Sequence, residues 1–151
     1  MLRGNHPAKI DEKGRLKIPN AFKALVEQHH GTALYVTSLR GESVWIYPLP
    51  AWIEYEQRLS RLGNTDPSLR RFIDRVSYHG QTTEFDAQGR VVIPPRLRVL
   101  AGIDGDVDVL GRINHLEVWN HERLVARMES DPYSEEDDRR LAQVSGVQGG
   151  G

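Results

Sequence analysis

Two short stretches, Asp11-Glu12-Lys13-Gly14-Arg15 and Asp86-Ala87-Gln88-Gly89-Arg90, share the spacing Asp-x-x-Gly-Arg. Glycine supplies the positive φ of a tight turn, and an arginine beside it projects a planar, permanently charged fork from a rigid platform. Such a fork pairs with phosphate oxygens or with the acceptor edge of guanine. Lys9, Lys13, Lys17 and Lys23 add positive charge around the first stretch, so residues 9–23 carry five Lys/Arg against Asp11 and Glu12, a local +3. Residues 86–98 carry Arg90, Arg96 and Arg98 against Asp86, a local +2. A structural reading competes with binding: Arg15 and Arg90 could pair with Asp11 and Asp86 across the turn and fix it, a contact worth little at an exposed surface. Residue chemistry alone leaves both readings open.

No other residues assemble into a reaction centre. His6, His29, His30, His79, His115 and His121 are scattered, with no carboxylate at metal-ligand spacing and no cysteine in the chain; surface or helix-end positions are expected for them. Ser38 and Ser43 occupy no nucleophile elbow, and Gly4, Gly14 and Gly41 form no phosphate-binding loop. Asp104 and Asp106 lie in a glycine-flanked turn, where Asp is common for backbone reasons. Trp45, Trp52 and Trp119 are expected to pack in the core rather than stack on single strands. The pattern calls for no cofactor, no metal ion and no small-molecule substrate, and an enzyme is the weakest of the function classes.

The elements that must position the two turns repeat. Residues 10–25 lie over residues 85–100 at a constant offset of 75, matching Asp11 with Asp86, Gly14 with Gly89, Arg15 with Arg90, Ile18 with Ile93 and Pro19 with Pro94. Leu16 with Val91, Phe22 with Leu97 and Lys23 with Arg98 keep their chemistry, which marks a duplication. Further on the register moves by one, pairing Gly31 with Gly105 and Trp45 with Trp119. Each copy reads as a β-hairpin around its glycine, with strands Ala8–Asp11 and Arg15–Ile18 in the first. Ile18 is held extended by Pro19, and Asn20 to Val26 have helical spacing. In the second copy Pro94-Pro95 begins the helix and Gly102 ends it. Strand-like runs follow at 33–37 and 44–47, and at 107–110 and 116–119. Helical periodicity over Trp52–Leu62 and Pro67–His79, the latter N-capped by Asp66, predicts two linking helices. Two more are predicted at His121–Met128 and Ser134–Val144. The expected division is a first unit at 5–52, linking helices at 53–79, a second unit at 80–126 and an acidic helical and flexible tail at 127–151. A unit under about 60 residues buries only about 60% of its unfolded surface, so the two copies are expected to share one β-core.

The whole chain of 151 residues has a net charge of −1, which argues against a strongly basic nucleic-acid binder. Its distribution changes that reading: residues 1–128 hold 18 Lys/Arg and 15 Asp/Glu, a net +3, while 129–151 hold 2 and 6, a net −4. The Glu135-Glu136-Asp137-Asp138 run reads as a solvated, frayed helix start and Gly149-Gly150-Gly151 as a flexible end. No apolar run is long enough to span a bilayer, and the first residues lack the apolar stretch of a secretory signal. With no cysteine this suits a reducing cytosol.

The Asp-x-x-Gly-Arg-x-x-Ile-Pro hairpin and its short helix resemble AbrB-type DNA-binding units. Two such copies, a Met-Leu-Arg-Gly start and the Asp-Glu-Lys-Gly-Arg first motif together resemble the MraZ family of bacterial transcriptional regulators over residues 1 to about 145. The resemblance is specific in the duplicated motif and weak in the linking helices and tail. It implies an α+β, mainly β fold in which two swapped-hairpin units form an intramolecular pseudo-twofold β-barrel, with linking helices and a C-terminal helix. It also implies a cytoplasmic, nucleoid-associated regulator that assembles into ring-shaped homo-oligomers and binds double-stranded DNA. The expected DNA sites are short direct repeats upstream of the division and cell-wall gene cluster containing its own gene. Lys13 and Arg15 match the first basic pair and Arg90 the second arginine, with Lys9 and Lys17 beside them; Gln88 stands at the position of a basic residue, so the second turn is expected to hold DNA more weakly. The rival is an oligomeric protein-interaction scaffold whose basic turns are structural.

Overall fold

Ile18 and Ile93 each precede a proline, and their main-chain N–H groups have no partner in their own hairpin; each donates instead to the glycine of the other copy's turn. Ile18 N lies 3.1 Å from Gly89 O and Ile93 N lies 2.8 Å from Gly14 O. The computed structural model describes residues 1–146 and divides into two bodies, one spanning Met1–His121 and the other beginning at Glu122. The first body contains β1 (Asn5–Ile10), β2 (Arg15–Lys17), α1 (Asn20–His30), β3 (Ala33–Thr37) and β4 (Val44–Pro48). It continues through α2 (Leu49–Leu59), a 3-10 turn (Ser60–Leu62) and α3 (Pro67–Tyr78) to β5 (Gln81–Glu84), β6 (Arg90–Val92), α4 (Pro95–Ala101), β7 (Gly105–Gly111) and β8 (Leu116–Asn120).

All eight strands lie in one antiparallel sheet of order β5-β3-β4-β8-β7-β1-β2-β6. The hairpins anticipated at each turn are only partly formed. β1 and β2 share the single pair Ile10↔Leu16; otherwise β1 runs against β7 from Asn5↔Leu110 to Ile10↔Gly105. β3 takes β5 in the equivalent way, from Ala33↔Glu84 to Val36↔Gln81. The remaining cross-copy ladders are β2 with β6 and β4 with β8, each strand facing its own counterpart. This is pseudo-twofold exchange, and β5 and β6, at the two ends of the order, are consecutive in the chain, so the sheet curls into a nearly closed barrel. Positions related by the 75-residue offset are buried together: Leu16 with Val91, Ile18 with Ile93, Phe22 with Leu97 and Val26 with Ala101 all belong to one core.

The helices keep their anticipated places with shifted ends. α1 runs four residues past Val26 because no breaker intervenes before Gly31. α2 starts at Leu49, ahead of the expected Trp52, because Pro48 is extended and Pro50 sits in the first turn, where a missing N–H costs nothing. The Asp66 carboxylate caps α3 by accepting from Leu69 N at 3.0 Å. α2 and α3 cover a second apolar cluster of Tyr47, Ala51, Trp52 and Val76, and the Val76 carbonyl accepts from Tyr35 Oη at 2.9 Å and Thr37 Oγ1 at 2.7 Å. Trp52 and Trp119 are buried as expected, whereas Trp45 is only half-buried, packed on the outside of the second cluster. His115 also departs from its expected surface position: it is half-buried and stacked on Tyr47 at 4.1 Å with the rings 4° from parallel.

The other body carries α6 (Glu135–Ser145), and α5 (His121–Ser130) begins at the boundary. The acidic run at the start of α6 is capped, not frayed. Ser134 Oγ accepts from Asp137 N at 3.2 Å and the Asp137 carboxylate accepts from Ser134 N at 2.9 Å, a reciprocal box that, with four acidic residues in the first turn, suits a helix N-terminus. The terminal Gly149-Gly150-Gly151 stretch lies outside the described residues. Among the described residues no helix is long and apolar enough to cross a membrane.

Two outcomes follow from this packing. Residues 1–79 alone lack the partners of β1, β2, β3 and β4 from the second copy, so they are expected to be unfolded or self-paired, never a folded monomer, by circular dichroism and sedimentation. Burial lowers the His115 pKa to about 4, so the fold favours the neutral ring. The corresponding stability is complete above the ordinary value of about 6.5 and is lost as pH falls towards about 4. His115→Phe, which keeps the stacking and removes the titration, is expected to flatten the pH dependence of unfolding free energy over that window by about 3 kcal/mol.

Candidate nucleic-acid interface

Each turn is built around one aspartate. Asp11 Oδ1 accepts from Lys13 N at 3.0 Å and Arg15 N at 2.9 Å, while its Oδ2 accepts from Arg15 Nε at 2.6 Å. Asp86 does the same with Gln88 N at 2.9 Å, Arg90 N at 2.8 Å and Arg90 Nε at 2.9 Å. These bonds to the ionised form, the arginine main-chain N–H foremost, hold both carboxyls below their ordinary pKa. Gly14 and Gly89 close the turns at φ +81° and +75°, backbone that a side-chain-bearing residue adopts only with strain.

The structural pairing is thus present, and it does not consume the arginines. Each guanidinium is gripped through Nε, which fixes its plane, and no hydrogen bond from the terminal nitrogens of Arg15 or Arg90 is present among the described residues. Both forks are partly exposed, with side-chain accessibilities of 33% and 26%.

The neighbouring charges do not sit where the linear count put them. In the β2–β6 ladder Lys17 lies opposite Arg90, and Arg15 opposite Val92. Lys17 Nζ donates to the main-chain oxygen of Gln88. A Cβ built on Gly89 would lie 2.9 Å from Lys23 Cδ and 3.1 Å from Lys17 Nζ, and one on Gly14 would lie 2.7 Å from Arg98 Cζ. Lys17 and Lys23 therefore belong to the second turn and Arg98 to the first. In space the first turn has Lys13, Arg15 and Arg98 against Asp11 and Glu12, a net +1. The second has Arg90, Lys17 and Lys23 against Asp86, a net +2, or +1 once Glu27, the ion-pair partner of Lys23, is counted. The local +3 and +2 of the linear reading give way to near parity. Lys9 faces Asp106 across β1–β7 at 3.9 Å, with both side chains largely exposed. Arg98 is a functional candidate that the turn motif does not contain, and its offset alignment with Lys23 is the signal in the sequence that points to it.

Elsewhere, Ser43 Oγ donates to Glu117 Oε1 at 2.8 Å, and Ser38 Oγ accepts from Gly41 N at 2.9 Å. His121 Nδ1 lies 2.6 Å from Asp108 Oδ2. Among the described residues no group of three His, Cys, Asp or Glu side chains is placed to hold a metal ion.

An antiparallel barrel made from two exchanged strand-turn-strand-helix units, with an Asp-x-x-Gly-Arg turn at either end of the β2–β6 ladder, is a two-unit AbrB-like barrel. Residues 1–75 and 78–144 match the family described as "MraZ protein, putative antitoxin-like". Proteins named transcriptional regulator MraZ from Acidobacterium capsulatum and Koribacter versatilis are 46% and 41% identical to it, over 95% of this chain and 98% and 99% of theirs. One from Shewanella frigidimarina is 35% identical over 85% of this chain and 86% of its own length. The chain belongs to the MraZ family of transcriptional regulators.

The turn geometry separates two roles of the aspartate. Asp11→Asn keeps an oxygen for the Lys13 and Arg15 N–H groups but loses the acceptor for Arg15 Nε, whereas Asp11→Ala loses both. In thermal melts at neutral pH the Asn variant is expected to stay closer to the parent than the Ala variant. Because the folded-state pKa is depressed, the contribution of Asp11 is present above the ordinary carboxylate value and lost as pH falls through the lowered one. Both variants are expected to lose less stability than the parent on acidification below about pH 4.

Proposed function

We propose that the two turns are the tips with which this regulator binds double-stranded DNA. Arg15 and Arg90 read base edges, Lys13, Lys17 and Lys9 contact phosphates, and Gln88 lies at the same surface as an uncharged hydrogen-bonding group. The observation that carries the reading is the pair of pseudo-twofold-related guanidinium forks, each fixed at Nε and carrying donors on its outer edge, the geometry that bidentate recognition of guanine or phosphate requires. The names of the relatives agree with it.

In this reading residues 5–52 and 80–126 are the two DNA-engaging units, 53–79 links them and 127–151 is a tail. Each chain brings few positive charges, so useful affinity comes from several chains in a ring-shaped homo-oligomer engaging direct repeats, where linkage raises the effective concentration of each further tip. The repeats lie upstream of the division and cell-wall gene cluster that includes the protein's own gene, and the protein works in the cytoplasm on the nucleoid. The second reading, a protein-interaction scaffold with purely structural turns, draws on the Asp11–Arg15 and Asp86–Arg90 pairs themselves.

Mobility shifts on the upstream region of its own gene and on a scrambled duplex, at two salt concentrations, distinguish the two. DNA binding releases counterions and falls steeply with salt, whereas a packing interface responds much less. The expected result is selective, salt-sensitive binding that is abolished in an Arg15→Ala, Arg90→Ala double variant of unchanged circular dichroism. Binding that survives the double substitution would remove the tips from the interface.

A further inference from the structure

We propose that Lys17 supplies the second tip with the lysine that its own copy lacks, so that each tip presents a lysine ammonium beside its turn arginine to the phosphates of duplex DNA. This rests on the DNA-binding reading above. By the 75-residue offset, position 88 is equivalent to position 13 and position 92 to position 17, yet 88 is Gln and 92 is Val. If each copy used only its own turn, one tip would carry Lys13 with Arg15 and the other Arg90 alone.

The strand exchange removes this deficit. Pairing Lys17 with Arg90 across β2–β6 carries its ammonium out of the first copy to the second turn. There Nζ donates to the carbonyl of Gln88, the residue aligned with Lys13, and lies 3.1 Å from the point where a Gly89 Cβ would stand. An ammonium has three donors, so one bond to Gln88 leaves two for phosphate oxygens, and Lys17 is exposed. The exchange is not mirrored: the residue opposite Arg15 is Val92, 48% exposed, and the first tip already has Lys13. Of the other basic residues near the tips, Lys23 is paired with Glu27 and lies 5.6 Å from the Phe85 ring, and Arg98, whose Nε donates to Ile93 O at 3.2 Å, stands at the first turn. Lys17 is the charge that has moved across the pseudo-twofold axis to where its counterpart is missing.

The test is charge relocation in the full chain, read as the salt dependence of affinity for a fluorescent random-sequence duplex. Each phosphate contact adds about 0.9 to the slope of log affinity against log salt. Lys17→Gln is expected to lower the slope by about that much for every second tip engaged, and Lys17→Arg to leave it unchanged. The double variant Lys17→Gln, Gln88→Lys, which restores a lysine at the same place from the other copy, is expected to recover the parental slope. Melting curves of each variant exclude misfolding. An unchanged slope in Lys17→Gln, with binding still abolished by the Arg15→Ala, Arg90→Ala pair, overturns the assignment of Lys17 and leaves the DNA reading standing. Failure of Gln88→Lys to rescue in a protein that melts like the parent overturns the equivalence of the two positions. Indifference of binding to the arginine pair overturns the DNA reading itself.

Discussion

The reciprocal bonds from Ile18 N to Gly89 O and from Ile93 N to Gly14 O are the constraint on which the rest of the barrel depends. A buried main-chain N–H must find a partner, and proline after each isoleucine turns the chain into a helix before its own hairpin can lengthen. The partner has to come from the other copy. Once β2 and β6 are joined this way, β1 continues onto β7 and β3 onto β5, and the offset-related apolar residues meet in a single core.

The same junction reconciles the two readings of the basic turns. An aspartate that accepts two main-chain N–H groups and one guanidinium N–H makes the turn rigid and aims the arginine at once. Fixing a long side chain before contact reduces the conformational entropy lost on binding, so a surface ion pair of small worth to stability can serve recognition. In the proposed reading the structural and binding roles of Arg15 and Arg90 are parts of one arrangement, because the pairing uses the Nε edge and leaves the outer edge facing away from the aspartate.

Much of this was legible in the residues because the signals were local and repeated. The Asp-x-x-Gly-Arg spacing, proline after each isoleucine, Asp66 ahead of Pro67 and Gly102 after Ala101 each act within a few residues, and the elements they mark are where the patterns placed them. What was not legible depended on which strand lies beside which. A linear count assigns Lys17 and Lys23 to the nearest turn in sequence; only the β2–β6 register and the packing of Lys23 against Gly89 show that they stand at the other one. Helix ends moved for a similar reason, since nothing in Glu27 to His30 forces α1 to stop and Pro48 sets the start of α2 from outside the apolar pattern. The half-burial of Trp45 and His115 is not legible because residue type says little about burial for amphipathic rings, and their positions follow from the cover that α2 and α3 give to Tyr47 and its neighbours.

A barrel assembled from two separate identical chains must show the same face at both tips, and any surface it touches is met identically from either end. Joining the copies in one chain lifts that requirement. Lys13 and Gln88, and Lys17 and Val92, occupy equivalent backbone positions with different chemistry. The backbone is close to symmetric while the surface it displays is polar in the geometric sense. Rotating the molecule by half a turn exchanges a tip whose lysine comes from its own loop for one whose lysine reaches in from a neighbouring strand, which gives the protein a front and a back along anything it binds.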